Sequence, residues 1–123
     1  MTIQRLHHAQ ITVPSDKVDE ARDFYLGILG LTELPKPDIL LSRGGFWMQL
    51  GDVEIHVGVE DGVDRLASKG HIAYQVTQLE QWRDTLIKQG ITPLESIPID
   101  GYDRFEFRDP FGNRVEMIQP QRG

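Results

Sequence analysis

Residues 6–34, LHHAQITVPSDKVDEARDFYLGILGLTEL, contain a strand pattern, a turn, a helix pattern and a closing Gly-Leu-Thr-x-Leu. Residues 70–94, GHIAYQVTQLEQWRDTLIKQGITPL, repeat that order. The match pairs His8 with His71 and Gly30 with Gly90, at offsets of 63 and 60 residues. Because several features recur in the same order at nearly constant spacing, the sequence predicts an internal repeat that divides the chain into two similar halves.

Each half is predicted to form one helix flanked by four short strands. The first helix should begin at Ser15 or Asp16 and end at Gly30, and the second should begin at the capping box Thr77-x-x-Glu80 and end at Gly90. Strands following the helices are predicted over 38–43, 45–50 and 52–59, and over 93–97, 102–108 and 113–119. We therefore expect an α+β fold of two tandem βαβββ modules in one domain, with module one at 1–60, a polar linker at 61–69 and module two at 70–123.

The composition excludes several classes of protein. Among 123 residues, 13 Lys and Arg against 19 Asp and Glu give a net charge of −6, whereas a duplex nucleic-acid binder needs a basic footprint. Cysteine is absent, which excludes disulfides, thiolate nucleophiles and zinc–thiolate sites. No apolar stretch approaches the about 20 residues of a membrane span, and the amino terminus lacks a signal-peptide pattern. We expect a cytoplasmic protein whose chemistry depends on His, carboxylates, hydroxyls or a metal.

Alternation along the predicted strands places His and Glu residues on one face. Side chains of a strand point alternately to the two faces of its sheet. At matched places in the two halves, four strands put a His or Glu opposite the helix-packing face: His8, Glu54, His71 and Glu116. Each residue alone would be ordinary, but together they predict a cavity with ligands for a divalent metal, for which Ni, Co, Mn, Fe or Zn would all be suitable.

Several motifs carry a resemblance to a known family. They are His8–Val13, Phe24-Tyr25, Leu29-Gly30-Leu31, Gly70–Ala73 and the Asp-Pro-Phe-Gly-Asn-Arg-Val-Glu run at 109–116. Together they cover nearly the whole chain, which resembles the vicinal oxygen chelate superfamily, including glyoxalase I, bleomycin-resistance proteins and extradiol dioxygenases. The resemblance implies paired βαβββ modules whose sheets curl around a cavity. It also implies the metal ligands His8, His71 and Glu116, with Glu54, His56 or a water in fourth place.

The resemblance leaves two functions open. In the first, the chain is a metal-dependent, glyoxalase-like lyase or isomerase that acts on a small oxygenated substrate, and Glu54 or Glu116 moves a proton. In the second, it is a metal-free protein that binds and sequesters a small molecule, like the bleomycin-resistance proteins. The resemblance also implies a homodimer, with modules that pair either within a chain or across the dimer.

Other residues are predicted to shape the cavity. The alternating run at 101–107 places Phe105 and Phe107 on the helix side, and Tyr102 and Arg104 on the cavity side with Glu106. We expect Trp47, Tyr102 and Arg104 to contact the substrate, with Arg104 or Arg43 holding an anionic group; the alternative is a core tryptophan and surface arginines. The Asp109–Asn113 run is predicted to form a turn that orients Glu116.

Overall fold

Two four-stranded mixed sheets make up most of the regular structure in the computed structural model, which describes residues 1–122. The first contains β1 (His8–Val13), β2 (Thr32–Leu34), β3 (Phe46–Leu50) and β4 (Val53–Val59), in the order β1-β4-β3-β2. The second contains β5 (His71–Gln75), β6 (Leu94–Glu95), β7 (Tyr102–Arg108) and β8 (Arg114–Pro120), in the order β5-β8-β7-β6. In both sheets the first strand is parallel to the last, and the other pairs are antiparallel. The predicted α+β fold of tandem βαβββ modules is confirmed.

Each sheet belongs to its own compact unit, and each unit supplies one main helical segment. Unit 1 spans Met1–Val63 and unit 2 begins at Asp64. In unit 1, α1 (Val18–Arg22) continues as a π-helical segment, Asp23–Ile28, and a 3₁₀ helix covers Asp38–Arg43. In unit 2, a 3₁₀ turn covers Arg65–Ala67 and α2 covers Leu79–Lys88. No helix among residues 1–122 is long and apolar enough to cross a membrane.

The predicted helix ends are confirmed, but the predicted N-terminal caps are wrong. Gly30 and Gly90 have positive φ angles of 81° and 78°, the left-handed conformation in which glycine ends helices. Neither α1 nor α2 has a side-chain cap on its own N-cap residue. Instead, the Leu79 amide donates to Gln119 Oε1 of β8 at 2.8 Å, and the Ser15 amide donates to Asp61 Oδ1 at 2.8 Å. Because these acceptors are 40 and 46 residues away in sequence, local motifs could not predict them.

The strand predicted over 38–43 is also wrong, since these residues form the 3₁₀ helix. The edge strand of the first sheet is instead β2, which pairs with β3. Pro35 follows it directly and Pro37 comes two residues later, and neither has a backbone N–H to continue a ladder. The chain therefore leaves the sheet at Leu34 and turns before it enters β3.

The two units share one packing motif on the helix side of the sheet. Phe46 and Phe105 are fully buried, as is Phe107, in accord with the predicted facing of β7. A helix arginine lies over each ring: Arg22 Cζ is 4.9 Å from the Phe46 centroid, and Arg83 Cζ is 4.7 Å from the Phe105 centroid. Each arginine also forms an ion pair with a glutamate of the following strand, Glu33 or Glu95. The internal repeat is therefore present in side-chain packing as well as in topology.

Candidate functional site

The turn before β8 is built by its first residue. Asp109 is buried, and its Oδ1 accepts hydrogen bonds from the amides of Phe111 at 2.9 Å and Asn113 at 2.8 Å. Gly112 follows with a φ of 100°, and a Cβ there would lie 3.2 Å from Arg65 Cβ. Arg65 is buried too, so the predicted polar linker at 61–69 is packed at this point. The predicted turn is confirmed, and it starts the strand that carries Glu116.

His71 and Glu116 form a pair of donor atoms on the face of the second sheet opposite α2. The His71 Nε2 lies 3.3 Å from Glu116 Oε1, and the His71 Nδ1 lies 3.1 Å from the Lys69 carbonyl oxygen. A carbonyl oxygen only accepts hydrogen bonds, so a neutral His71 ring carries its proton on Nδ1. The lone pair on Nε2 then faces a carboxylate oxygen. A backbone carbonyl that fixes the tautomer in this way is typical of metal-binding histidines.

Two arginines occupy the same face of unit 2. Arg104 Nη1 donates to Glu116 Oε1 at 3.1 Å, and the Arg104 Nε donates to the Ile97 carbonyl at 3.1 Å. Arg114 binds Glu106 through two hydrogen bonds of 2.7 Å each. The bond from Arg114 is the largest cause that holds the pKa of Glu106 below its ordinary value, and it raises the pKa of Arg114 in turn. Because Arg104 donates to Glu116 and Arg114 donates to Glu106, both glutamates on this face already have a cationic partner. Glu116 is the carboxylate that an added cation would bind.

The corresponding face of unit 1 carries a stack of rings. The buried His56 ring lies between His8, at a centroid distance of 4.2 Å, and Trp47, at 4.0 Å, and it is nearly parallel to both. His56 Nε2 is 3.0 Å from Glu54 Oε1. This hydrogen bond is the largest cause that lowers the pKa of Glu54. His7 approaches the stack from its edge, with its Nδ1 3.0 Å from His8 Nδ1.

Strand register shows which residues of the two units occupy equivalent positions. His8 is opposite Glu54 in the first sheet, whereas His71 is opposite Arg114 in the second. Two residues further along, Gln10 is opposite His56 and Ala73 is opposite Glu116. With His8 and His71 as equivalents, the counterpart of Glu116 is His56, and the match of Glu54 with Glu116 is displaced by two residues. Side-chain contacts agree, because His56 touches His8 as Glu116 touches His71.

Each unit thus brings a pair of metal-type donors together. Among residues 1–122, no group of three or more His, Asp or Glu side chains is arranged to hold a metal ion. The chemistry of the pairs nevertheless fits a divalent cation, since both offer imidazole nitrogen next to carboxylate oxygen. His56 has the further feature that its Nε2 is bound to Glu54, which leaves Nδ1 as the ring atom for a ligand.

The predicted substrate contacts lie on the same faces. Trp47 is half-buried against His56, while Tyr102 is exposed. Arg104 is bound to Glu116 and Ile97, as described above. Neither the ring stack nor the Arg104–Glu116 contact was predicted from sequence, because both depend on which strands are neighbours in the sheet. The only indication in the sequence is the alternation of side chains, which places these residues on the same face of the sheet.

Comparisons with known proteins agree with this architecture. Residues 5–117 match the model of the Glyoxalase/Bleomycin resistance protein/Dioxygenase superfamily. A crystal structure of a Bacillus anthracis protein assigned to the glyoxalase family is 38% identical, covers 98% of each chain and superposes with a TM-score of 0.89. The fosfomycin resistance protein FosX from Listeria monocytogenes is 15% identical, with 98% and 96% of the two chains covered and a TM-score of 0.78.

A lactoylglutathione lyase from Agrobacterium tumefaciens is 16% identical, with 97% and 96% of the two chains covered and a TM-score of 0.73. At these low identities, FosX and the lyase share the fold alone with this chain. The comparison with curated proteins gives no match.

Proposed function

Because this chain belongs to the Glyoxalase/Bleomycin resistance protein/Dioxygenase superfamily, we propose that it is a divalent-metal-dependent, glyoxalase-like lyase or isomerase. Its substrate would be a small molecule with two neighbouring oxygen atoms. The observation that carries the proposal is the His71–Glu116 pair: His71 Nε2 lies 3.3 Å from Glu116 Oε1, while His71 Nδ1 lies 3.1 Å from the Lys69 carbonyl oxygen. Glu116 is buried, and carboxylates are rarely buried unless they are paired, so this face of the sheet holds a desolvated ligand-type oxygen next to an imidazole.

The proposed ligands are His8, His71 and Glu116, with a fourth from His56 or Glu54. Strand register and the contact with His8 favour His56. In that arrangement Glu54 holds His56 through Nε2 and orients its Nδ1, as carboxylates do for metal-bound histidines. A divalent cation, when bound, polarises substrate oxygens and stabilises the anion left after a proton is removed.

The two glutamates are unequally suited to moving that proton. Efficient general bases have a pKa near the working pH, and the bond from His56 lowers the pKa of Glu54 away from it. Glu54 is therefore poorly suited to accept the proton. Glu116 uses Oε1 for both His71 and Arg104, while its Oε2 accepts no hydrogen bond within the described part of the chain. We assign the proton transfer to Glu116, through Oε2.

A metal-free small-molecule binding protein is the second candidate, and one observation favours it. Arg104 sits on the same Glu116 oxygen that a cation would use, so the carboxylate is satisfied without a metal. The two candidates differ in one expectation. The enzyme binds an added divalent cation at Glu116 in spite of Arg104, whereas the metal-free protein does not.

Metal binding decides between the candidates. We would load the full chain with Ni, Co, Mn, Fe(II) or Zn by equilibrium dialysis and count the metal by elemental analysis. The enzyme proposal expects near-stoichiometric binding of at least one ion, weakened about 100-fold by Glu116→Gln, since a ligand is at least as important as the residues that orient it. Glu106→Gln is the matched control: it lies opposite Glu116 in the sheet but binds Arg114. Binding that never approaches stoichiometry, or that survives Glu116→Gln, would favour the metal-free candidate.

The reaction and the assembly need separate measurements. A screen with methylglyoxal and several thiols tests the glyoxalase-like reaction on the metal-loaded protein. Inactivity there, with metal bound, would remove this substrate and leave the metal site in place. The homodimer is a prediction from family resemblance, and light scattering on the purified chain tests it directly.

A further inference from the structure

A small cavity in unit 1 has a positively charged wall. Its volume is about 220 Å³, and its lining includes Gln10, Lys36, Leu40, Arg43, Trp47 and His56. This is below the roughly 300–1,000 Å³ of sites for drug-sized ligands, so it suits a molecule of about one ring. Since His56 also stacks on His8, the cavity adjoins the proposed ligands of unit 1.

The sequence between β2 and β3 places two cations on this wall. Lys36 stands between two prolines, and its Nζ donates to the Gly44 carbonyl oxygen. Arg43 is the last residue of the 3₁₀ helix Asp38–Arg43, directly before Gly44. Gly44 and Gly45 both have positive φ angles, 73° and 80°, so the chain turns sharply at this point into β3. Both cations thus belong to one folded loop that is tied to its own backbone.

No acidic side chain balances these cations at the cavity. The lining residues include no Asp or Glu. Arg43 forms no ion pair or hydrogen bond with the residues that the structure describes, and the partner of Lys36 is a neutral carbonyl. In a chain with a net charge of −6, an unbalanced pair of cations at one cavity is a local exception. Guanidinium and ammonium groups placed together in this way recognise carboxylates.

The remaining walls favour a flat molecule with a polar edge. Trp47 presents a large aromatic surface, and its position is fixed by the stack on His56, at 4.0 Å and an interplanar angle of 5°. Gln10 contributes an amide that rests against Gly58, where a Cβ would lie 2.8 Å from Gln10 Nε2. Such an amide both donates and accepts hydrogen bonds.

From this arrangement we propose that the cavity binds a small planar organic carboxylate, with its carboxylate on Arg43 and Lys36 and its flat body against Trp47. The identification of this molecule as the substrate rests on the proposed function. Binding at the cavity does not, since every residue that carries it belongs to unit 1 and none of the cations is a proposed metal ligand.

Binding of benzoate to the metal-free full chain tests the proposal. Trp47 reports on the cavity by fluorescence once the other tryptophan is removed by Trp82→Phe, and calorimetry gives the affinity. Benzamide has the same ring without the charge, and benzylamine reverses the charge. We expect benzoate to bind, benzamide to bind about tenfold more weakly, and benzylamine to give no signal. Raising the salt concentration should weaken benzoate binding.

Matched variants locate the site. Arg43→Gln and Lys36→Gln should each weaken benzoate binding about tenfold and leave benzamide binding unchanged. Lys17→Gln removes one positive charge from the same unit, away from the cavity lining, and should have no effect. Thermal melts of each variant check that it folds. An amide cross-peak of the Gln10 side chain that shifts with benzoate would place the ligand independently of the variants.

Three results would overturn the proposal: equal affinity for benzoate and benzamide, benzoate binding unaffected by Arg43→Gln and Lys36→Gln, or an equal loss in Lys17→Gln. The result of the benzoate experiment is independent of the result of the metal-binding experiment. Failure here with intact metal binding leaves the enzyme proposal standing. Benzoate binding in a chain that holds no metal supports this proposal together with the metal-free candidate.

Discussion

The two sheets have the same strand order, yet the faces that carry the candidate residues differ in chemistry. Strand register gives four equivalent pairs, with the unit 1 residue first: Trp47 and Glu106, Gln49 and Arg108, Glu54 and Arg114, His56 and Glu116. Unit 1 presents stacked rings beside one glutamate. Unit 2 presents arginines paired with glutamates. Only the histidine of the first strand, His8 or His71, is the same in both.

This difference shows which parts of the repeat the fold requires. The helix side keeps a buried phenylalanine under an arginine in both units, because this packing holds the helix on the sheet. The other side keeps its strand positions and changes its side chains. In unit 1 these changes leave stacked rings beside a cavity whose cations come from the loop before β3, and in unit 2 they leave a glutamate that is already paired. One topology therefore presents two chemically different faces.

The largest expected effect comes from Gly45→Ala, which would break the comparison at its most unequal position. Gly45 directly precedes Phe46 as Arg104 directly precedes Phe105, the two phenylalanines that lie under helix arginines. A Cβ on Gly45, however, would lie 2.0 Å from the Val57 carbonyl oxygen, at a φ of 80°. Neither the backbone oxygen nor the angle can adjust cheaply, so we expect a loss of about 4 kcal/mol or more in unfolding free energy, measured by urea denaturation.

Gly27→Ala is the control for this variant. Gly27 lies in the π-helical segment, and a Cβ there meets nothing within 4 Å. We expect it to change stability by at most about 1 kcal/mol, in the stabilising direction. If Gly45→Ala were equally mild, β3 could shift by enough to accept a side chain, and the strand equivalence between the units would be looser than the register indicates.

The next effect sharpens the contrast between the two donor pairs. Arg104→Gln removes the cation from Glu116 Oε1, so we expect divalent-metal affinity to rise about tenfold, which corresponds to roughly 1.4 kcal/mol. Lys69→Gln is the matched control, since it removes a charge next to His71 and keeps the carbonyl that binds its ring. Calorimetric titration measures both. Unchanged or weaker binding in Arg104→Gln alone would mean that Arg104 positions Glu116 for the metal and does not compete with it.

The fold was largely predictable from sequence, and the site only in part. Helix ends, the strand faces of Phe105 and Phe107, and the Asp109 turn each follow from local rules, and all are confirmed. The match of Glu54 to Glu116 failed for a physical reason. Side chains alternate with a period of two, so a two-residue shift leaves every residue on the same face, and the sequence alone cannot detect it. Assigning the register requires knowing how each strand pairs with its neighbour in the sheet.

Contacts between segments distant in sequence were the other feature that could not be predicted. The acceptor for the Leu79 amide is Gln119, and the partner of Arg104 is Glu116 from the next strand. No local sequence pattern predicts either contact. Capping boxes and strand faces describe what a segment can do alone, whereas these bonds arise only after the sheet has assembled.

The smallest expected effect tests whether the shared packing motif is also shared in energy. Arg22→Met and Arg83→Met each remove a guanidinium from over a buried phenylalanine, at 4.9 Å and 4.7 Å, and retain most of the apolar stem. Cation–π contacts at partly exposed sites contribute about 0.5–1 kcal/mol, so we expect each variant to lose about that much unfolding free energy. Glu33→Gln and Glu95→Gln, which weaken only the ion pairs, should lose less. Matching losses in the two arginine variants would mean that both units depend equally on this contact. A clear loss in one variant alone would mean that only that unit still needs it.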